Sequence, residues 1–170
     1  YRYDEYISRR WASKEEFITS IKDDLSRRDF TINAIAIDLI KIIKDEYEDI
    51  IYDPFSGRKD IHKKIIRAVG DCKKRFEEDA LRALRACRFS SVLGFELDED
   101  VKRAIKDILP MIDNLSAERV RDELMKILYN SPRPSKGLKL LKETGILKIW
   151  TPELLEGVGV DQPIYHVHDV

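Results

Sequence analysis

The sequence predicts an α+β segment over residues 1–70 and an all-helical part beyond it, so that the chain is mostly helical overall. Three observations predict this. After Gly70, apolar residues recur at helical spacing in four stretches, at about 77–93, 98–109, 116–130 and 135–144. Pro110, the pair Pro132 and Pro134, and Gly145 punctuate those stretches. The β-branched runs before Gly70 are separated by turn residues, which is the pattern of short strands.

Taken in order, residues 1–22 read as a loop followed by a short extended stretch around Glu16–Ser20. Ser26, followed by Asp29 and an apolar run to Ala36, reads as the cap of a short helix. The run Ile35–Ile43, the charged KDEYED and then IIYDPF read as a hairpin whose second strand ends at Asp53-Pro54, the only clear β-structure in the chain. Asp53, Pro54 and Gly57 form a turn that leads into a helix. A short apolar stretch, Ile65–Val69, precedes Gly70-Asp71, which is the expected module boundary, and Ser116 is the expected cap of the third long helix. The expected organisation is therefore 1–70, 71–150 and a last region 151–170.

With 43% hydrophobic and 37% charged residues over 170 positions, the chain can bury a core. A formal net charge of −1, from 31 basic and 32 acidic residues, places any contact with a polyanion on a local patch. Cys72 and Cys87 offer neither a zinc spacing nor a disulfide framework, and a reducing, cytoplasmic setting is expected. No apolar run approaches the roughly 20 residues that span a bilayer, so no membrane partner is expected. Tyr1 and the closing YHVHDV read as the ends of an excised fragment.

The chemistry is concentrated in a few segments. In EEDALRALRACRF, Asp79, Arg82, Arg85 and Arg88 recur every three residues and would form a slowly winding stripe on a helix. Ala80, Ala83, Leu84 and Cys87 then form its packing face. An Arg stripe is commonly a solvated face, but three arginines with one acid suit an anionic ligand. Asp accepts hydrogen bonds whereas Arg only donates. Cytosine and adenine both present an exocyclic amine beside a ring-nitrogen acceptor, so an Asp–Arg pair satisfies either base. Guanine and uracil present an acceptor beside an N–H and are mismatched.

In DDLSRRDFTINAIAIDL, Arg27, Arg28 and Asp29 stand at the expected helix start, where free N–H groups and the positive dipole end suit a phosphate. Asn33, in an otherwise apolar stretch, needs a partner. Lys63, Lys64, Lys73 and Lys74 belong to a basic cluster that could contact an RNA backbone, though a solvated face explains it equally well. In SAERVRDELMKIL, Glu118, Glu123, Arg119, Arg121 and Lys126 read mainly as pairs within one helix. His166, His168 and Asp169 are too few to specify a metal site, and none is expected.

RRDFTINA (Arg27–Ala34), DPFSG with Asp60, RFEEDALRALRACRF (Arg75–Phe89) and AERVRDELMKIL occur here in an order that resembles the class II tRNA nucleotidyltransferase (CCA-adding enzyme) and bacterial poly(A) polymerase family. The resemblance implies a nucleotidyltransferase head up to about residue 70, followed by a helical neck and body. It implies that Asp79 and Arg82 read the base of incoming CTP or ATP, with Glu78 orienting the pair. Arg85 and Arg88 continue the nucleotide-binding stripe, Arg28 and Asp29 hold the triphosphate and ribose, and Asn33 supports their loop. The partners implied are CTP, ATP and the 3′ end of tRNA or another RNA.

The family's glycine-rich phosphate turn and its paired carboxylates for Mg²⁺ are not found, so no catalytic residue is assigned and this fragment is expected to be inactive alone. Ser56 stands where the family commonly has Gly, and Ile61 where Leu is common. DQPIYHVHDV resembles the entry to an HD domain. The alternatives are a poly(A) polymerase, a non-catalytic RNA-binding module of the same descent and a purely structural helical domain.

Overall fold

The computed structural model describes residues 2–4, 15–17, 20–45 and 48–160, the first two stretches as backbone only. The chain divides into two compact units, one of residues 1–63 with 68–70, the other of residues 64–67 with 71–170.

The first unit opens on strands β1 (Arg2–Asp4) and β2 (Glu15–Phe17), paired antiparallel. Helix α1 (Ile21–Ser26) follows, capped by Ser20, whose hydroxyl oxygen accepts from Asp23 N at 3.2 Å. The expected helix start at Ser26 is thus a helix end. The Ser-x-x-Asp signature occurs at both Ser20 and Ser26, and the earlier one nucleates the helix. A single 3-10 turn, Thr31–Asn33, comes next.

β3 (Ala36–Ile37) pairs antiparallel with β4 (Ile51–Tyr52). Between them lies helix α2 (Leu39–Ile43), so only the two ends of the expected hairpin are strand. The reason is Asp38, whose Oδ1 accepts from Ile40 N and Lys41 N at 3.0 and 3.2 Å. That local bond starts a helix against the β preference of the isoleucines.

The Asp53-Pro54 turn leads into α3 (Gly57–Lys63), where the Asp53 carboxylate caps the helix by accepting from Gly57 N at 2.7 Å and Arg58 N at 2.9 Å. Gly57 is required by closeness: a Cβ there would overlap the Thr31 carbonyl and stand 2.9 Å from Ile35 Cγ1. Leu25, Ala34 and Val69 form this unit's small core, and Phe30 is fully buried.

The second unit is a helical array. β5 (Ile65–Ile66) pairs in parallel with β6 (Glu96–Leu97), so the hairpin is not the only paired β-structure. The expected helix over 77–93 is two helices, α4 (Cys72–Glu78) and α5 (Leu81–Leu93), parted at an extended Asp79. Gly94 ends α5 at φ 71°, a left-handed conformation that favours glycine.

Then come α6 (Glu99–Asp107), capped by Asp98, and α7 (Leu109–Ile112), with Pro110 in its first turn. α8 (Ala117–Asn130) begins after Ser116 as expected, although the Ser116 side chain makes no capping bond. α9 (Pro134–Thr144), α10 (Ile146–Trp150) and α11 (Glu153–Glu156) complete the unit. Phe76, Leu84, Cys87, Ile105, Ile127 and Leu141 are among the residues of its fully buried core. Among the described residues, no helix is long and apolar enough to cross a membrane.

Candidate functional site

On α5 the predicted stripe keeps its spacing. Arg82, Arg85 and Arg88 are partly exposed, while Ala80, Ala83, Leu84 and Cys87 are buried as the small-residue face. Asp79 stands at the head of this helix rather than within it. Its φ and ψ are −152° and 101°, its Oδ1 accepts from Leu81 N at 3.1 Å, and its carbonyl accepts from Arg82 N at 3.0 Å. An aspartate that satisfies the first turn's donors ends one helix and starts the next.

Neither member of the predicted reading pair is left to rotate freely. Arg82 Nη1 donates to Glu78 Oε2 at 2.9 Å and to the Arg75 carbonyl at 2.8 Å. Arg75 Nη1 holds the same Glu78 carboxylate at 2.9 Å. Asp79 Oδ2 accepts from Arg119 Nη2 of α8 at 2.8 Å. Glu78 therefore sits between Arg75 and Arg82, and Arg119, which sequence reading assigned to pairs within its own helix, reaches across to Asp79. A separation of 40 residues gave no local signal for that partnership.

Arg88 behaves differently from the rest of the stripe. Its Nε donates to Glu123 Oε2 at 2.5 Å, and Lys126 Nζ holds the other oxygen of that carboxylate at 2.9 Å. The Arg88 guanidinium also lies 4.0 Å from the Phe89 ring centroid, and that of Arg85 lies 5.5 Å from it. One face of α8 thus meets the predicted stripe at two points, Arg119 on Asp79 and Glu123 on Arg88.

In the first unit, Arg27 is the C-cap of α1 and Arg28 follows it. The expected helix N-terminus for a phosphate is absent there; only the 3-10 turn follows. Both arginines are held instead by Asp24. Burial raises the Asp24 carboxyl's pKa, but hydrogen bonds and charge from Arg28 and Arg27 outweigh it and leave the value below that of an ordinary carboxyl. Asp29 is buried, and its Oδ1 accepts from Phe30 N at 2.9 Å and from Asn33 Nδ2 at 3.0 Å. The amide of Asn33 has its partner, and that bond closes the loop on itself. Thr31 donates to buried Asp60 at 2.8 Å.

Lys63, Lys64, Lys73 and Lys74 are all exposed. His166, His168 and Asp169 lie outside the described residues. Among the described residues, no three His, Cys, Asp or Glu side chains come together as metal ligands. The buried carboxylates of Asp24, Asp29 and Asp60 already hold arginines, an amide and a hydroxyl, so this donor set does not suit Mg²⁺. An apolar groove of about 500 Å³ on α8, lined by Val120, Leu124, Leu128, Leu138, Leu147 and Trp150 among others, carries none of the residues named for the site.

Two families match this chain. The one described as "Poly A polymerase head domain" matches residues 1–67, and the one described as "Probable RNA and SrmB- binding site of polymerase A" matches residues 94–157. The CCA-adding enzyme of Geobacillus stearothermophilus is 46% identical over 142 residues, covering 84% of this chain and 33% of that protein. That of Streptococcus sanguinis strain SK36 is 41% identical over 151 residues, covering 89% and 35%. The chain therefore spans about a third of the length of the curated relatives it matches.

Among solved structures, that of the Bacillus stearothermophilus CCA-adding enzyme in complex with CTP superposes with a TM-score of 0.69 at 47% identity, covering 78% of this chain and 31% of that one. A tRNA nucleotidyltransferase complexed with a primer tRNA and an incoming ATP analog gives 0.67 at 32% identity, covering 84% and 39%.

Proposed function

Because this chain belongs to the class II tRNA nucleotidyltransferase and bacterial poly(A) polymerase family, we propose that it supplies the base-reading part of an enzyme that adds C, A or both to tRNA 3′ ends without a template. In this reading, residues 1–70 are the later part of the head, 71–150 the neck and body, and 151–170 the start of a further region. The setting is cytoplasmic, and the nucleotides are CTP and ATP.

The observation that carries the reading is the fixed placement of Asp79 and Arg82 at the start of α5, each held by a different charged partner. Arg82 donates to N3 of cytosine or N1 of adenine, and Asp79 accepts from the exocyclic amine. Guanine and uracil place an oxygen against the carboxylate and an N–H against the guanidinium, so both contacts turn repulsive. Glu78 holds Arg82 in place. Arg85 continues the stripe toward the rest of the nucleotide, and Arg88 does so through the position it fixes on α5. Arg28 and Asp29 serve the triphosphate and ribose, with Asn33 holding their loop, and Lys63, Lys64, Lys73 and Lys74 contact the RNA backbone.

Mg²⁺ is the cofactor of the reaction in the family. The described residues of this chain do not offer it a ligand set, and the chain alone is proposed to be inactive. The match of residues 94–157 to an RNA-binding family favours a second reading, an RNA-binding module without chemistry.

The test joins this chain to the upstream head of a relative. It measures incorporation of each labelled nucleotide, with Mg²⁺, into tRNAs that end before the Cs, after one C and after both. Addition of C or A supports the enzyme, and the pattern across the three ends identifies its product. Asp79→Asn, whose amide can donate to O4 or O6, should raise relative use of UTP and GTP about tenfold, the worth of one charge-assisted hydrogen bond. No incorporation at any end, with tRNA binding retained, selects the RNA-binding module.

A further inference from the structure

Asp24 has no part in the chemistry described so far, yet it is among the most completely engaged side chains in the first unit. It lies on α1 with 4% of its surface exposed. Its Oδ1 accepts from Arg27 Nη2 at 2.7 Å and Nε at 3.3 Å, and its Oδ2 accepts from Arg28 Nη2 at 2.8 Å and Nε at 3.3 Å. One carboxylate thus holds two guanidiniums, each side-on through the same two nitrogens. A single arginine would neutralise a buried carboxylate, and the second leaves the cluster with net positive charge.

The side-on grip also fixes direction. A guanidinium is planar, so once Nε and Nη2 are held the orientation of Nη1 is set as well. The Arg28 side chain keeps half of its surface in solvent. A ligand that arrives from solution therefore meets a guanidinium whose plane Asp24 has already set.

We propose that Asp24 is a positioning residue, which holds Arg28 so that its Nη1 edge meets the triphosphate of the incoming nucleotide. The inference rests on the role proposed above for Arg28 and adds what sets that arginine's direction. Asp24 does not touch the nucleotide. Its replacement weakens binding through Arg28 alone, and that separates positioning from a general contribution to folding.

The experiment uses the enzyme extended to the length of its relatives and measures KM and kcat for CTP, with melting temperature, in Asp24→Asn, Arg28→Ala, the double variant and Arg28→Lys. Asp24→Asn should raise KM about tenfold with kcat changed less than about twofold. In the Arg28→Ala background the same change should add less than about twofold, because the group it positions is gone.

Arg28→Lys keeps the charge at a half-exposed position but cannot take the side-on grip. It should raise KM to a similar extent with the melting temperature unchanged, and so carries the test even where Asp24→Asn folds poorly. An equal effect of Asp24→Asn in both backgrounds, or an Arg28→Lys variant with unaltered KM, overturns the proposal. An Arg28→Ala variant with unaltered KM instead overturns the role of Arg28 itself, and the proposal with it.

Discussion

Replacing Arg88 by Met separates two roles that its place in the arginine stripe leaves superimposed. The Arg88 side chain is 14% exposed and its partner Glu123 3%, with 2.5 Å between Nε and Oε2. Removing one member of such a buried pair costs about 3–5 kcal/mol, because the other charge is left in a poor solvent. Lys126 remains on Glu123 at 2.9 Å, from a side chain 46% exposed, and offsets part of that loss. A net cost of about 2–3 kcal/mol follows, which at 2–4 °C per kcal/mol for a chain of this size lowers the melting temperature by roughly 4–12 °C. Thermal unfolding followed by circular dichroism reads this directly. Adding Glu123→Leu removes the stranded carboxylate and should recover most of the loss, since a buried ion pair exchanged for apolar side chains is commonly neutral. An Arg88→Met variant that melts with the wild type while losing CTP affinity would refute the reasoning and make Arg88 a ligand group.

The remaining predictions concern the backbone, acid stability and the thiols. Ser56 sits at φ 59°, where the family commonly has glycine; Ser56→Gly should stabilise the chain by about 0.5–1 kcal/mol, read as a higher denaturant midpoint. Gly57→Ala should destabilise it by about 2 kcal/mol or more, because the methyl group meets the Thr31 carbonyl and Ile35 and the backbone must move. The Asp24 carboxyl has its folded pKa depressed, so it contributes stability above its unfolded value of about 3.9, lost as pH falls through the lower folded value. The stability difference between wild type and Asp24→Asn should therefore be full near neutrality and shrink below about pH 4 in acid titrations. Burial, and for Cys72 also the nearby Asp100, Asp98 and Asp71, pushes both thiols up to about 12. A thiol reagent at pH 8 should label native protein slowly and denatured protein rapidly.

The helical half was legible because its apolar period survives into the structure, as the buried Ala83, Leu84 and Cys87 opposite the arginines show. What escaped was decided by short aspartate bonds. Asp79 and Asp38 each satisfy backbone donors two or three residues ahead, and in the sequence such a residue reads equally well as a helix surface position or a strand end. The Ser20 and Ser26 signatures are alike in the sequence, and it is the bond from Asp23 N to the Ser20 hydroxyl that shows which one begins the helix. Of the candidate residues, the stripe was visible as spacing. Its partners were not: Glu123 is 35 residues from Arg88 and Arg119 is 40 from Asp79, and the same charges already had satisfactory explanations within α8. Asp24 escaped because two adjacent arginines and a nearby acid look like an ordinary solvated pair until burial is known.

The proposed reader must discriminate without a complementary strand, and that places different demands on its two members. Arg82 alone would be a weak judge. A guanidinium that can turn finds an acceptor on any base, O6 of guanine and O4 of uracil included. Rejection of those bases therefore lies with Asp79, whose carboxylate must stay where their oxygens would fall, since a carboxylate free to swing away removes the repulsion and leaves only attraction. Each Asp79 oxygen has a fixed donor, Leu81 N on one and Arg119 Nη2 on the other, and a carboxylate oxygen keeps a further lone pair to offer an amine. In the proposed reader, it is the anchoring of the acceptor to the backbone of the helix it begins that would let two side chains stand in for a template strand. For that reason Asp79→Asn, rather than any change at Arg82, should open the site to guanine and uracil.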